Sequence, residues 1–215
     1  MNALDLFRDV AALAVAGVVL QRSLWRALLC LNPGWMRVEV DSEGPALPTA
    51  FPAPLVALAK ELVALGFSPL GVHIEMPRLG PSSLSYDFAN HHERVFASAY
   101  VTDDDGPRVY FISGGANGSL ALTGNDRRPS IHRPGYLAGS LEHVPLDRLF
   151  QAHLRRAAEL GERSAQLTMA ERVRLAQDWF QGHGAGEVRS ANVVGLLWSG
   201  FGLGILGLLL ASWVS

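Results

Sequence analysis

The hydrophobic pattern changes period several times along the chain. From Leu6 to Leu31 it is helical: at about 100° per residue, Leu6, Leu13, Leu20, Leu24 and Leu31 align on one stripe, while Arg8, Arg22 and Arg26 gather on the other side. This predicts an amphipathic helix over 1–32, stopped by Pro33 and Gly34. Its uninterrupted apolar run, Val10 to Leu20, has 11 residues and is too short to cross a bilayer unaided. The pattern fits a helix lying in the membrane interface, packed on the tail helix, or covering the soluble domain, and a second span stays open if its arginines snorkel. A secretory signal is not indicated, because Arg22 and Arg26 follow the apolar run where a cleavage site would be needed.

"GPALPTAFPAP", Gly44 to Pro54, has four prolines and reads as part of a linker spanning 33–54. Beyond it, Leu55, Leu58, Leu62 and Leu65 recur at helical spacing, with Gly66 placed to end the helix. The period then drops to two, since Val72, Ile74 and Met76 alternate with His73 and Glu75. After a long loop, "MPRLGPSSLSYDFANHH", three runs read as strands: "RVFASAYV", "RVYFIS" and "SLALTG". Asp103, Asp104 and Asp105 fall in the first connection, and Asn117-Gly118 marks a tight hairpin in the second. Helical spacing returns at Leu146, Leu149, Phe150, Leu154 and Ala157. It returns again in "TMAERVRLAQDWFQG", where Thr168 and Glu171 form a capping-box pattern.

The last pattern is uniform. Val193 to Val214 is a run of 22 residues without a charge, long enough to span the roughly 30 Å hydrocarbon core as a helix. Trp198 and Trp213 fall toward its ends, where indoles favour the membrane interface. Gly200, Gly204, Gly207 and Ala211 share one helical face, which would allow close approach of another helix, from this chain, a second copy or another membrane protein. Arg172, Arg174 and Arg189 precede the run, so the positive-inside rule places the preceding domain in the cytoplasm and predicts a single-pass, tail-anchored protein.

The sequence therefore predicts an α+β fold: an antiparallel meander packed with helices on one face, an N-terminal amphipathic helix and a C-terminal transmembrane helix. The expected segments are 1–32, the linker 33–54, a soluble domain over 55–183, a connector over 184–192 and the span over 193–214. Both faces of the meander carry apolar or aromatic residues, Phe96, Tyr100, Tyr110 and Ile112 on one and Ala97, Ala99, Val109 and Phe111 on the other, so both need cover.

Composition narrows the function. A net charge of −2 without a run of like charges speaks against nucleic acid as a partner, and a single cysteine, Cys30, excludes an intramolecular disulfide or a multi-cysteine zinc site. His91 and His92, with His73 or His132, are the weak metal candidates, but adjacent side chains diverge and HExxH is absent. "SGGANGS" lacks the lysine and following helix of a phosphate loop. "TGNDRRPSIHRPGY" gathers Arg127, Arg128, His132 and Arg133, a set suited to an anion or lipid headgroup; His132 and Arg128 are also the weak catalytic candidates. No cofactor motif is present. The expectation is a membrane protein, leaning non-catalytic, whose domain binds a partner protein or small ligand near the bilayer. The alternatives are a membrane-associated hydrolase or transferase acting on a lipid or phosphorylated substrate, and a structural subunit of a membrane assembly.

Overall fold

A computed structural model describes residues 3–44, 51–102, 106–164 and 166–214. The acidic triplet at 103–105 and part of the proline-rich segment lie outside the described residues. The chain forms two compact units. One comprises Val38–Glu75 with Ser82–Asp178, and the other Met1–Arg37, Met76–Pro81 and Trp179–Ser215.

The first unit is built on an eight-stranded sheet. Its strands are β1 (Met36–Glu43), β2 (Ser68–Pro77), β3 (Ser83–Asn90), β4 (Val95–Val101), β5 (Pro107–Gly114), β6 (Leu120–Gly124), β7 (Ile131–Arg133) and β8 (Tyr136–Ser140), in the order β1-β2-β3-β4-β5-β6-β8-β7. The pairs from β2 to β6 are antiparallel and β6 pairs with β8 in parallel, so the fold is α+β with a mostly antiparallel sheet. The β5–β6 hairpin turns where Asn117-Gly118 predicts it. Gly118 adopts φ +79°, and Asn117 Oδ1 accepts from the Ser119 amide at 3.0 Å.

Alternation divides the sheet. Phe88, Ala97, Ala99, Val109 and Phe111 point to one face and meet Leu55, Leu62 of α2 (Val56–Ala64), Phe67, and Leu149 and Phe150 of α3 (Leu146–Ala158). Phe67, Phe111 and Phe150 form a mutual ring cluster with centroids 5.1–5.5 Å apart. The opposite face carries Asp87, Ser98, Tyr110 and Gly114 and is covered by α4 (Met169–Asp178), whose Arg172 and Leu175 reach those positions. Helices thus lie on both faces rather than one. The reason is chemical: the second face is polar at its centre, and an arginine on α4 supplies what an apolar helix would leave unsatisfied. Thr168 caps α4 as its spacing predicts, accepting from the Glu171 amide at 3.2 Å.

Several strands escape the sequence reading. Strand β1 occupies part of the 33–54 segment, and β3 runs through the stretch expected as a long loop. In β3 the alternation Leu84, Tyr86, Phe88 against Ser83, Ser85, Asp87 is a clean strand signal, obscured by the neighbouring Pro81-Ser82-Ser83. Strands β7 and β8 are short and turn at Pro134-Gly135.

The second unit is dominated by α1 (Ala3–Leu31) and α5 (Ala185–Val214). Helix α5 begins before the charge-free run, so residues 185–192 are helical as well. The pair is antiparallel. Ser23 meets Ser199 at 2.9 Å between hydroxyls, and Trp213 Nε1 donates to Asp9 Oδ2 at 3.0 Å. The buried positions recur every seven residues, Asp9, Ala16 and Ser23 on α1 and Gly195, Gly202 and Leu209 on α5, the repeat of helices that wrap along a common seam. The glycines are needed where backbones approach. A Cβ on Gly195 would lie 2.2 Å from Arg26 Cβ, and one on Gly202 would lie 3.0 Å from Leu20 Cγ. By contrast, Gly200, Gly204 and Gly207 have open space around them.

Position-specific substitution separates the two kinds of glycine. Gly195→Ala should lower the thermal stability of the full chain in mild detergent, because it wedges the helices apart. Gly200→Ala, in open space, should be neutral or stabilising by up to about 1 kcal/mol through helix propensity. Equal effects at both positions would contradict the observed seam.

Candidate functional site

The polar face of the sheet focuses on one carboxylate. Asp87, fully buried on β3, accepts from His73 Nδ1 at 2.5 Å, from Ser98 Oγ at 2.5 Å and from Arg172 Nε at 3.1 Å. The strand register brings these together: Asp87 pairs with Ser98 across β3–β4, Ser98 pairs with Tyr110 across β4–β5, and His73 faces Ser85 on the β2–β3 side. Arg172, wholly buried, also donates from Nε and Nη2 to Ser98 Oγ at 2.9 and 2.8 Å and from Nη2 to the Tyr110 hydroxyl. Its guanidinium carbon stands 5.3 Å from the Tyr110 ring centre. Glu75 extends the network to His73 Nε2 at 3.5 Å.

The titration of these groups follows from their neighbours. Burial alone would raise the Asp87 carboxyl, but the Arg172 and His73 charges outweigh it and hold the acid below its usual range. Burial alone would lower His73, but the Asp87 carboxylate and its hydrogen bond prevail and the imidazolium is favoured. The Tyr110 hydroxyl is pushed up to about 12, chiefly by burial, with the Arg172 charge opposing. The set is an internal ion network with committed members. Arg172 Nη1 has no hydrogen-bond partner among the described residues.

A second buried network lies on the other face. Arg156 Nη1 donates to Thr123 Oγ1 at 2.9 Å, which leaves the threonine hydroxyl hydrogen for His153 Nδ1 at 3.2 Å. His153 Nε2–H then donates to Ser113 Oγ at 3.0 Å, and Ser113 in turn to the Arg94 carbonyl at 3.4 Å. Burial, with the Arg156 and Arg163 charges nearby, pushes His153 down to about 3, so the ring is neutral. It holds α3 against β5 and β6, and a proton on Nδ1 would remove the acceptor that the Thr123 hydroxyl uses.

An open cavity of about 460 Å³ lies beside β4 and β5. Tyr100, Arg108, Asp126, Arg127, Glu142 and His143 contribute to its wall, a mixture of both signs with aromatic surface. The volume falls within the range of small-molecule sites.

The residues singled out from sequence are dispersed. Arg127 lines this cavity, whereas Arg128 turns inward, its amide donating to Ser140 Oγ at 3.0 Å and its guanidinium 3.7 Å from Asp126. His132 and Arg133 are exposed on β7, with His132 3.8 Å from Glu159. His91 and His92 are exposed in the β3–β4 turn, and His92 pairs with Glu93 at 3.0 Å. Among the described residues no group of three or more His, Cys, Asp or Glu side chains is placed to hold a metal ion. Gly200, Gly204, Gly207 and Ala211 are exposed on α5, while Gly195 and Gly202 take the seam. Cys30 is half-buried. Sequence reasoning misses the Asp87–Arg172 network because its members lie far apart in the chain; the one local signal is Arg172 among the apolar positions of α4.

Comparison of the chain with protein-family models, with curated proteins and with solved structures finds no match. Two helices, Leu6–Leu31 and Ala185–Trp213, are long and apolar enough to cross a membrane, with mean hydropathies of 1.4 and 2.1.

Two measurements test the networks. Arg172→Leu strands a buried carboxylate and should destabilise the chain by about 3–5 kcal/mol, and adding Asp87→Asn should recover part of that loss. Full additivity in denaturant titrations would contradict the coupling. The two histidines give stability opposite pH slopes. His153, depressed when folded, costs stability as pH falls below the unfolded value near 6.5 toward 3; His73, raised when folded, loses its contribution as pH rises above 6.5. Their combined effect is greatest stability near pH 6.5. His153→Leu should flatten the acid limb, by up to about 1.4 kcal/mol per pH unit, and spare the alkaline one.

Proposed function

We propose that α1 and α5 form a two-span membrane hairpin that holds the α+β domain at the cytoplasmic surface, where it acts as a binding module. The observation that carries the reading is the distribution of side chains in the helix pair. The seam buries Asp9, Ala16, Ser23, Ser199 and Gly202, and the outer surfaces expose Leu6, Val10, Leu13, Val18, Phe201, Leu203 and Leu208. This is the arrangement expected in lipid, where small and polar residues join helices and apolar ones face the solvent. The core helix of a soluble protein is mostly buried; the apolar windows of these two are 22% and 17% buried.

The N-terminal helix supports a second span because its partner compensates for its short apolar run. Asp9 is met by Trp213 and Ser23 by Ser199, so the two polar groups buried in the seam are matched within it. Because the helices are antiparallel, residues 32–184 leave and re-enter the hairpin at one end. Arg22, Arg26, Arg37 and Arg189 lie near that end in the sequence, which by the positive-inside rule favours the cytoplasm.

Binding rather than catalysis is favoured by the commitment of His73, His153, Asp87 and Ser113 to internal partners. The cavity beside Tyr100 and Arg127 offers a site for a small polar ligand with both charges, and its Arg108 and Arg127 suit an anionic group on that ligand.

Topology is the direct test. With Cys30→Ser as background, Leu4→Cys and Asn117→Cys should label on opposite sides of sealed membranes with an impermeant maleimide. Labelling on the same side would replace the hairpin by a single tail span with α1 on the domain side.

A further inference from the structure

We propose that Met76–Pro81, the end of β2 and the turn that follows it, forms with the arginines at the domain end of the hairpin a contact surface for anionic phospholipid headgroups. The proposal rests on the membrane hairpin reading above and assigns that hairpin a lipid preference.

The turn is unusual in sequence and in conformation. Gly80 donates its amide to the Pro77 carbonyl at 3.2 Å, so Arg78 and Leu79 are the two central residues. Leu79 adopts φ +65°, a left-handed conformation that ordinarily favours glycine or asparagine, and it is 71% exposed. The fold thus holds a large apolar side chain at the tip of a strained turn, where water is a poor solvent for it. A bilayer interface is a good one.

The surroundings place this tip at a definite level of the hairpin. Gly80 lies on the Trp25 indole so closely that a Cβ would come 2.9 Å from the ring. The Arg26 guanidinium carbon stands 5.0 Å from the Trp25 ring centre, and that of Arg78 stands 5.4 Å from the Trp35 ring centre. Antiparallel pairing through Ser23 and Ser199 puts Trp25 beside the Trp198 level of α5. Asp9 and Trp213 mark the opposite end, about 24 Å away along α1. Two aromatic levels separated by somewhat less than a hydrocarbon thickness are what a membrane hairpin presents to its two interfaces. Leu79 belongs to the domain-side level.

Charge decides the lipid. Arg22 and Arg26 are exposed on α1 around Trp25, and Arg78 adds a third guanidinium from the turn. The acidic residues of this unit are Asp5 and Asp9, toward the opposite end of α1, and Glu187 at the start of α5. Guanidinium groups pair with phosphodiesters in a planar, two-point geometry, and a basic collar gains further from a negatively charged leaflet. The leucine enters the interface while the arginines hold the phosphates above it.

The test uses the full chain in vesicles. In the Cys30→Ser background, Leu79→Cys, Leu203→Cys and Asn117→Cys are each labelled with an environment-sensitive fluorophore. Each is reconstituted into phosphatidylcholine with and without phosphatidylglycerol, and quenching is read with lipids carrying a nitroxide near the headgroup for Leu79 and Asn117 and in the acyl chain for Leu203. Leu79 should show blue-shifted emission and quenching that strengthens with phosphatidylglycerol, and Arg78→Glu should abolish that strengthening. Asn117, on the β5–β6 turn, should stay unquenched. If Leu79 behaves like Asn117 while Leu203 is quenched, or if its quenching ignores phosphatidylglycerol, the headgroup surface is refuted and the hairpin stands. If Leu203 is also unquenched, both fall.

Discussion

A polar group removed from water must meet a partner, and that constraint organises both units of this protein. In the α+β unit the sheet is covered on both faces, so the carboxylate of Asp87 at the centre of one face has no access to solvent. Arg172, His73 and Ser98 are arranged around it, and α4 is positioned by that requirement as much as by Leu175 and Met169. In the helical unit, on the membrane-hairpin proposal, the same rule acts in the opposite surroundings. Ser23 meets Ser199 and Asp9 meets Trp213 inside the seam, while apolar side chains such as Val10, Leu13, Val18, Leu203 and Leu208 lie on the outer surfaces. One unit hides its polar groups beneath apolar layers, and the other hides them between apolar surfaces that face outward.

Much of the fold is legible in the sequence, because periodicity reports local geometry. The helices over 55–65, 146–158 and 169–178, the strands β2, β4, β5 and β6, the Asn117-Gly118 turn and the Thr168 cap all follow from spacing and turn chemistry. Strand β3 is lost because its polar alternate positions, Ser83, Ser85 and Asp87, read as loop residues when their partners on α4 and β2 are not in view. Helix placement on both faces is lost for the same reason: nothing local to Arg172 says that Asp87, 85 residues away, needs it.

The candidate sites were less legible. A cluster of basic letters, Arg127 to Arg133, promises one anion site, but the strand geometry sends Arg127 to the cavity, Arg128 toward Asp126 and Ser140, and His132 and Arg133 to an exposed edge strand. On α5 the run of glycines contains two faces. Gly195 and Gly202 meet α1, while Gly200, Gly204 and Gly207 face away, a distinction that depends on where the partner helix lies. The N-terminal helix shows the same dependence. Its apolar run is short when read alone, and its polar residues become compatible with a crossing once α5 supplies their partners.

The central claim is that the terminal helices pair along this seam while embedded in lipid, and disulfide trapping in native membranes tests it most directly. With Cys30 replaced by serine, Ser23→Cys with Ser199→Cys should form an intramolecular disulfide readily in alkali-washed membranes. The outward-facing pair Val18→Cys with Leu203→Cys should not. Failure of the seam pair to crosslink, equal crosslinking of both pairs, or recovery of the chain in the soluble fraction would contradict the account.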